Sequence, residues 1–96
     1  MSSATTSTGS TGATAATPWG PARVVDEVRL AQQAGEKRFS SLVQLLETKK
    51  GERLVRFAYA TDGTARRGPV TLRARDLDRL RVLLEKHPDL QETLRL

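Results

Sequence analysis

Apolar side chains recur along the chain in distinguishable rhythms. From Arg53 to Thr61 the period is two. Val55, Phe57 and Tyr59 alternate with Leu54, Arg56, Ala58 and Ala60, as the two faces of a β-strand require. From Arg75 to Lys86, Leu77, Leu80, Leu83 and Leu84 recur at helical spacing, which predicts an amphipathic helix. Asp76 and Asp78 fall in its first turns and Lys86 and His87 in its last, where the helix dipole favours each sign. Pro88 stops this helix, and a short tail helix from Asp89 to Leu94 is expected after it.

Two further segments have a less regular rhythm. Ala22 to Ala34 carries Val24, Val25, Val28 and Leu30 as an imperfect stripe, with Arg23, Asp26, Glu27 and Arg29 on the wet side. We read it as a short helix ended by Gly35. Arg38 to Thr48 fits two descriptions. Phe39, Leu42, Val43 and Leu46 suit a helix, whereas Leu42, Val43, Leu45 and Leu46 suit a strand covered on both faces. Thr48-Lys49-Lys50-Gly51 has the form of a hairpin connection with glycine in the left-handed position after a type I turn. A hairpin needs a preceding partner, which favours the strand; a helix here would leave two or three helices with one hairpin.

Asp62-Gly63 is the strongest short turn signal. Thr64 to Leu72 reads as a further strand or two short pieces, broken at Gly68-Pro69, because proline cannot donate to a ladder. The expected fold is therefore α+β: an antiparallel curved β-meander of three to four strands followed by a C-terminal amphipathic helix, with an extra short N-terminal helix.

The chain has 96 residues, which allows at most one domain. Met1 to Thr17 is Ser, Thr, Ala and Gly without charge or large apolar groups, a composition expected to stay disordered. It lacks the basic start and apolar core of a secretory signal. Residues 18–35 form the helix and its lead-in, and residues 36–96 a small basic domain. Cysteine is absent, so neither a disulfide nor a thiolate zinc site supports so small a core. Dimerisation is the remaining common remedy. The expected location is cytoplasmic, nucleoid or nuclear rather than secreted, with no membrane contact.

Charge sharpens this picture. Between Glu36 and Arg75 ten basic residues face four acidic ones, a local net charge of +6 against +5 for the whole chain. A basic sheet face suits a polyanion, most commonly nucleic acid. Lysine and arginine also protect sheet edges from aggregation, so charge alone does not decide. Enzyme chemistry finds no support. His87 is the only histidine and suits a helix C-terminus; Asp76 and Asp78 do not share a helix face; Gly63 and Gly68 are turn glycines. No cofactor or metal is expected.

The strand, Lys-Lys-Gly turn and strand from Leu42 to Tyr59 are followed by Arg66-Arg67-Gly68-Pro69-Val70-Thr71-Leu72 and Arg75-Asp76-Leu77-Asp78-Arg79-Leu80. Over Phe39 to Leu84 this order resembles the single-stranded-DNA-binding domain of the positive cofactor four family of transcriptional coactivators. The resemblance implies a curved sheet, one long helix, a homodimer and sheet faces that hold single strands. The helix from Ala22 to Ala34 has no counterpart in that family core, and Tyr59 is the nearest substitute for its strand aromatics. The expected function is sequence-neutral binding of single-stranded DNA or RNA, with a partner in the transcription machinery. The candidate contacts are Lys49, Lys50, Arg53, Arg56, Tyr59, Arg66 and Arg67. Leu77, Leu84, Leu90 and Leu94 are the candidate dimer contacts. The rival expectation is a protein-interaction module that docks through its amphipathic helices and has no nucleic-acid ligand.

Overall fold

The computed structural model describes residues 5–8, 12–62, 64–66 and 70–95. In chain order the strands are β1 (Thr5–Thr8), β2 (Thr14–Thr17), β3 (Gly20–Ala34), β4 (Lys37–Thr48), β5 (Arg53–Thr61) and β6 (Thr64–Arg66). Helices α1 (Ala74–Leu84) and α2 (Pro88–Leu94) follow. Strands β3 to β6 form an antiparallel meander that curls into a half-barrel. β1 and β2 both pair with β3 on the edge away from β4.

The α+β class and the sheet-then-helix order are as expected, and Arg38 to Thr48 lies within β4. The N-terminal helix is not. Ala22 to Ala34 belongs to the fifteen-residue strand β3. Its register against β4 runs Val24↔Leu46 and then Asp26↔Leu45, so Val25 is an extra residue in a β-bulge. The bulge turns the two-residue alternation into a step of three, and Val25 and Val28 then imitate helical spacing. The β-branched Val24, Val25 and Val28 suit a pleated strand better than a helix. Gly35 accordingly does not cap a helix. It begins the two-residue loop between Ala34 and Lys37 with φ +62°, as a type II′ hairpin asks.

The N-terminal segment also differs from expectation. Thr5–Thr8 and Thr14–Thr17 lie in strands rather than in a disordered tail. Ala15 is buried against Ala22, Val24 and Leu46. Threonine is a good strand former, and the long edge of β3 offers backbone partners that composition does not reveal.

The turns follow their residues. Gly51 takes φ +87°, and its N–H donates to the Thr48 carbonyl at 2.9 Å. Asp62 takes φ +52° and opens the loop between the paired Thr61 and Thr64. The following strand ends at Arg66; residues 67–69, including the Gly68-Pro69 break and Arg67, lie outside the described residues.

The two helices cover one sheet face. There Val28, Leu30, Val43 and Leu45 pack with Leu80, Leu83, Leu84 and Leu90, and Val25, Val55, Leu72 and Leu94 fill the margins. The other face is buried by the curl of the sheet. It holds two small apolar groups, one around Val24 and Leu46 and one around Leu42, Ala58 and Ala60. Between them runs a polar chain in which Gln44 donates to Glu27 at 2.7 Å and Arg56 donates to Gln44 at 2.8 Å.

Candidate nucleic-acid interface

The helix start positions the main cluster of cations. Asp76 is fully buried at the beginning of α1. It accepts hydrogen bonds from the Arg73 backbone N–H at 3.1 Å and the Arg73 side chain at 2.9 and 3.1 Å. Arg79 at 2.9 Å and Gln32 of β3 at 3.0 Å also donate to it. Ser41 of β4 donates in turn to Gln32. Arg79 also donates to the Ala31 carbonyl at 2.9 Å. The Arg73 hydrogen bonds, aided by Arg79, hold the Asp76 carboxyl well below the usual carboxylate range against the opposing effect of burial. The same contact raises the Arg73 guanidinium. One carboxylate thereby pins the helix start onto the far end of the β3–β4 hairpin.

This docking builds a cleft of about 680 Å³ whose walls include Arg29, Arg38, Arg73, Arg75 and Arg79, with Asp62 the only acidic lining residue among the described residues. Gln32, Phe39 and Ser40 line it as well. Arg73 and Arg79 are joined to Asp76, and Arg29 lies 3.6 Å from Glu27. Among the described residues neither Arg38 nor Arg75 forms an ion pair. Fixed, planar guanidiniums with remaining donors suit phosphate oxygens. A second groove of about 670 Å³ adjoins the cleft across the shared residues Arg38, Phe39 and Asp62. Lys37, Tyr59, Thr61, Val70 and Thr71 line that groove.

No protein-family model, curated protein or solved structure matches the chain.

The expected contact residues do not share one surface. Tyr59 and Arg66 are direct cross-strand partners at the cleft end, and Arg66 donates to Thr61 at 2.9 Å. Lys49 and Lys50 are exposed at the opposite end, in the β4–β5 turn. Arg53 pairs in register with Glu47 near that turn. The Glu47↔Arg53 and Ser41↔Tyr59 pairs are six residues apart along β4, roughly 20 Å at about 3.3 Å per residue. Arg56 lies on the curled face and is engaged by Gln44, so it is not free for a ligand. Arg67 lies outside the described residues.

Two of the expected dimer residues are core instead. Leu84 is 2% exposed and Leu90 fully buried, both within the protomer. The same leucine stripe serves either purpose in sequence; the second helix, folding back beneath the sheet, decides it here. Leu94 packs at the core margin, and Leu77 remains exposed together with Val82.

Arg29, Arg38, Arg73, Arg75 and Arg79 were not singled out as a site by their pattern, because they come from three separate segments. Arg38, Arg73 and Arg75 belong to the basic stretch, yet nothing in their spacing predicts convergence. Among the described residues there is no group of three or more His, Asp or Glu side chains placed to hold a metal ion. No described helix is long and apolar enough to cross a membrane.

Proposed function

We propose that the protein binds single-stranded nucleic acid without strong sequence preference, through the arginine cleft and the adjoining Tyr59 groove. The observation that carries this reading is the convergence of five arginines on one open cleft, with Arg38 and Arg75 unpaired among the described residues. Guanidiniums attract the phosphate backbone whatever the sequence. The groove beside them supplies Phe39 and Tyr59, whose rings suit bases freed from a duplex. The curled sheet followed by helices has the element order of the coactivator resemblance, with two short helices in place of its one long helix, and a transcription-machinery partner is carried over from that resemblance alone. Contact then centres on Tyr59, Arg66 and the cleft arginines, while Arg56 has an internal role.

In this reading the chain is a binding protein rather than an enzyme. Of the expected dimer leucines on α1, Leu77 stays exposed for a partner. The direct test is titration of a fluorescent oligothymidylate with the wild type and with a variant carrying Arg38→Glu and Arg75→Glu. Salt-sensitive binding that the double variant loses supports the proposal. Absence of binding at low salt, or equal binding by both proteins, overturns it.

A further inference from the structure

The end of the sheet opposite the arginine cleft carries a second concentration of unused chemistry. Trp19, the only tryptophan, is 68% exposed in the turn between β2 and β3. The turn is structured around it. The Thr17 hydroxyl accepts the Trp19 backbone N–H at 3.1 Å and donates to the Gly20 carbonyl at 2.6 Å. Gly20 has φ +102°, a value open to glycine and strained for other residues. The indole is thus held outward by a defined loop.

The β4–β5 turn lies at the same end. Ala22 pairs with Thr48, which directs the β2–β3 and β4–β5 turns the same way. Pro21 and Lys49 line one shallow depression. Lys49 and Lys50 are exposed, and among the described residues neither forms an ion pair. Arg23 is already matched to Glu47 at 3.1 Å.

We infer that Trp19, Lys49 and Lys50 form a second contact for the single-stranded ligand of the arginine cleft. The inference rests on the function proposed above and extends it to the opposite end of the sheet. An exposed indole offers a face on which any base stacks. Lysine ammoniums beside it meet phosphate as point charges without demanding a fixed geometry. An anionic membrane is a poorer occupant. Juxtamembrane recognition uses clusters of several cations or an extended apolar face, whereas this end presents one indole, two free lysines and the carboxylates Glu47 and Glu52.

The geometry also assigns a length. The twelve residues of β4 span about 40 Å at roughly 3.3 Å per residue. At the axial spacing of one strand in a duplex, about 3.4 Å per nucleotide, about 12 nucleotides bridge the two ends. Shorter oligonucleotides occupy the arginine cleft alone; longer ones gain the second contact as an intramolecular step.

The test uses the full chain, its intrinsic tryptophan emission, and oligothymidylates of about 6 and about 20 nucleotides. The longer strand is expected to quench Trp19, while the shorter binds at the cleft and leaves the emission unchanged. Trp19→Leu, and separately Lys49→Glu with Lys50→Glu, are expected to weaken the longer strand about 10-fold and leave the shorter unaffected. Unchanged Trp19 emission at saturation by the longer strand, with equal affinity in the variants, overturns the second contact and leaves the cleft reading intact. Absence of binding by either strand removes both. A Trp19 response to phosphatidylserine vesicles without one to the longer strand overturns the inference in favour of a membrane surface.

Discussion

His87 Nδ1 lies 2.7 Å from Asp26 Oδ1, joining the residue just before α2 to the bulged segment of β3. His87 is 7% exposed, so the contact is shielded from water and fixes where the chain turns between the helices. His87→Ala is expected to remove this contact, leaving Asp26 Oδ1 with the Glu27 backbone N–H at 2.9 Å, and to cost about 1–3 kcal/mol. Urea unfolding of the variant measures this. A cost below about 0.5 kcal/mol, the usual size for a surface substitution, would show that leucine packing alone seats α2.

Asp76 gives the fold an acid-sensitive joint. Its pKa is depressed below the ordinary value of 3.8. The associated stability is present above that value and is lost as pH falls through the lower folded-state pKa. Asp76→Asn is expected to cost about 2 kcal/mol at neutral pH, since a buried carboxylate loses its charge-assisted hydrogen bonds. The gap between wild type and variant should narrow below about pH 4. Unfolding curves collected at neutral and acidic pH test the sign: a gap that widens in acid contradicts it.

Under the proposed function, salt should reveal how many cleft arginines meet phosphate. For a single strand the logarithm of affinity falls with the logarithm of salt at about 0.7 per phosphate neutralised. Replacing both Arg38 and Arg75 with Gln is therefore expected to reduce the slope by about 1.4. Oligothymidylate titrations across a range of chloride concentrations measure the slope. An unchanged slope would place the phosphates elsewhere.

The leucines of the helices should separate into two classes. Leu84→Ala removes part of the core and is expected to cost about 2–5 kcal/mol. Leu77→Ser combined with Val82→Ser changes exposed positions, so the fold should remain and the proposed self-association should weaken. Light scattering across protein concentration, paired with thermal unfolding, checks both. Loss of folding in the Leu77/Val82 variant would assign those side chains to the core.

Much of this architecture was legible where one local signal dominated. The alternation through Val55, Phe57 and Tyr59, the glycine after Lys49-Lys50, and the leucine stripe ended by Pro88 each led to the observed element. β3 reads as a helix in the sequence because one extra residue, Val25, breaks the alternation on which strand recognition depends. Leu84 and Leu90 read as outward because a stripe does not reveal whether a partner lies in the same chain. The cleft is a tertiary property. Arg29 and Arg38 flank the β3–β4 hairpin, whereas Arg73, Arg75 and Arg79 arrive only when Asp76 engages Gln32. No spacing within a segment encodes that meeting.

The bulge at Val25 also constrains how the chain can change length. Upstream of it, the side chains of β3 follow one phase of the pleat; downstream, they follow the other. Deleting Val25 alone would merge the phases without exchanging inside for outside, since Val24 and Asp26 would become neighbours opposite the neighbouring Leu45 and Leu46. Trp19, Gly20 and the pairings with β2 would keep their faces. Removing Val25 and Asp26 together would instead set Val24 beside Glu27, two residues of one face, and turn one arm over. The bulge is therefore a place where β3 tolerates the loss of one residue but not of two.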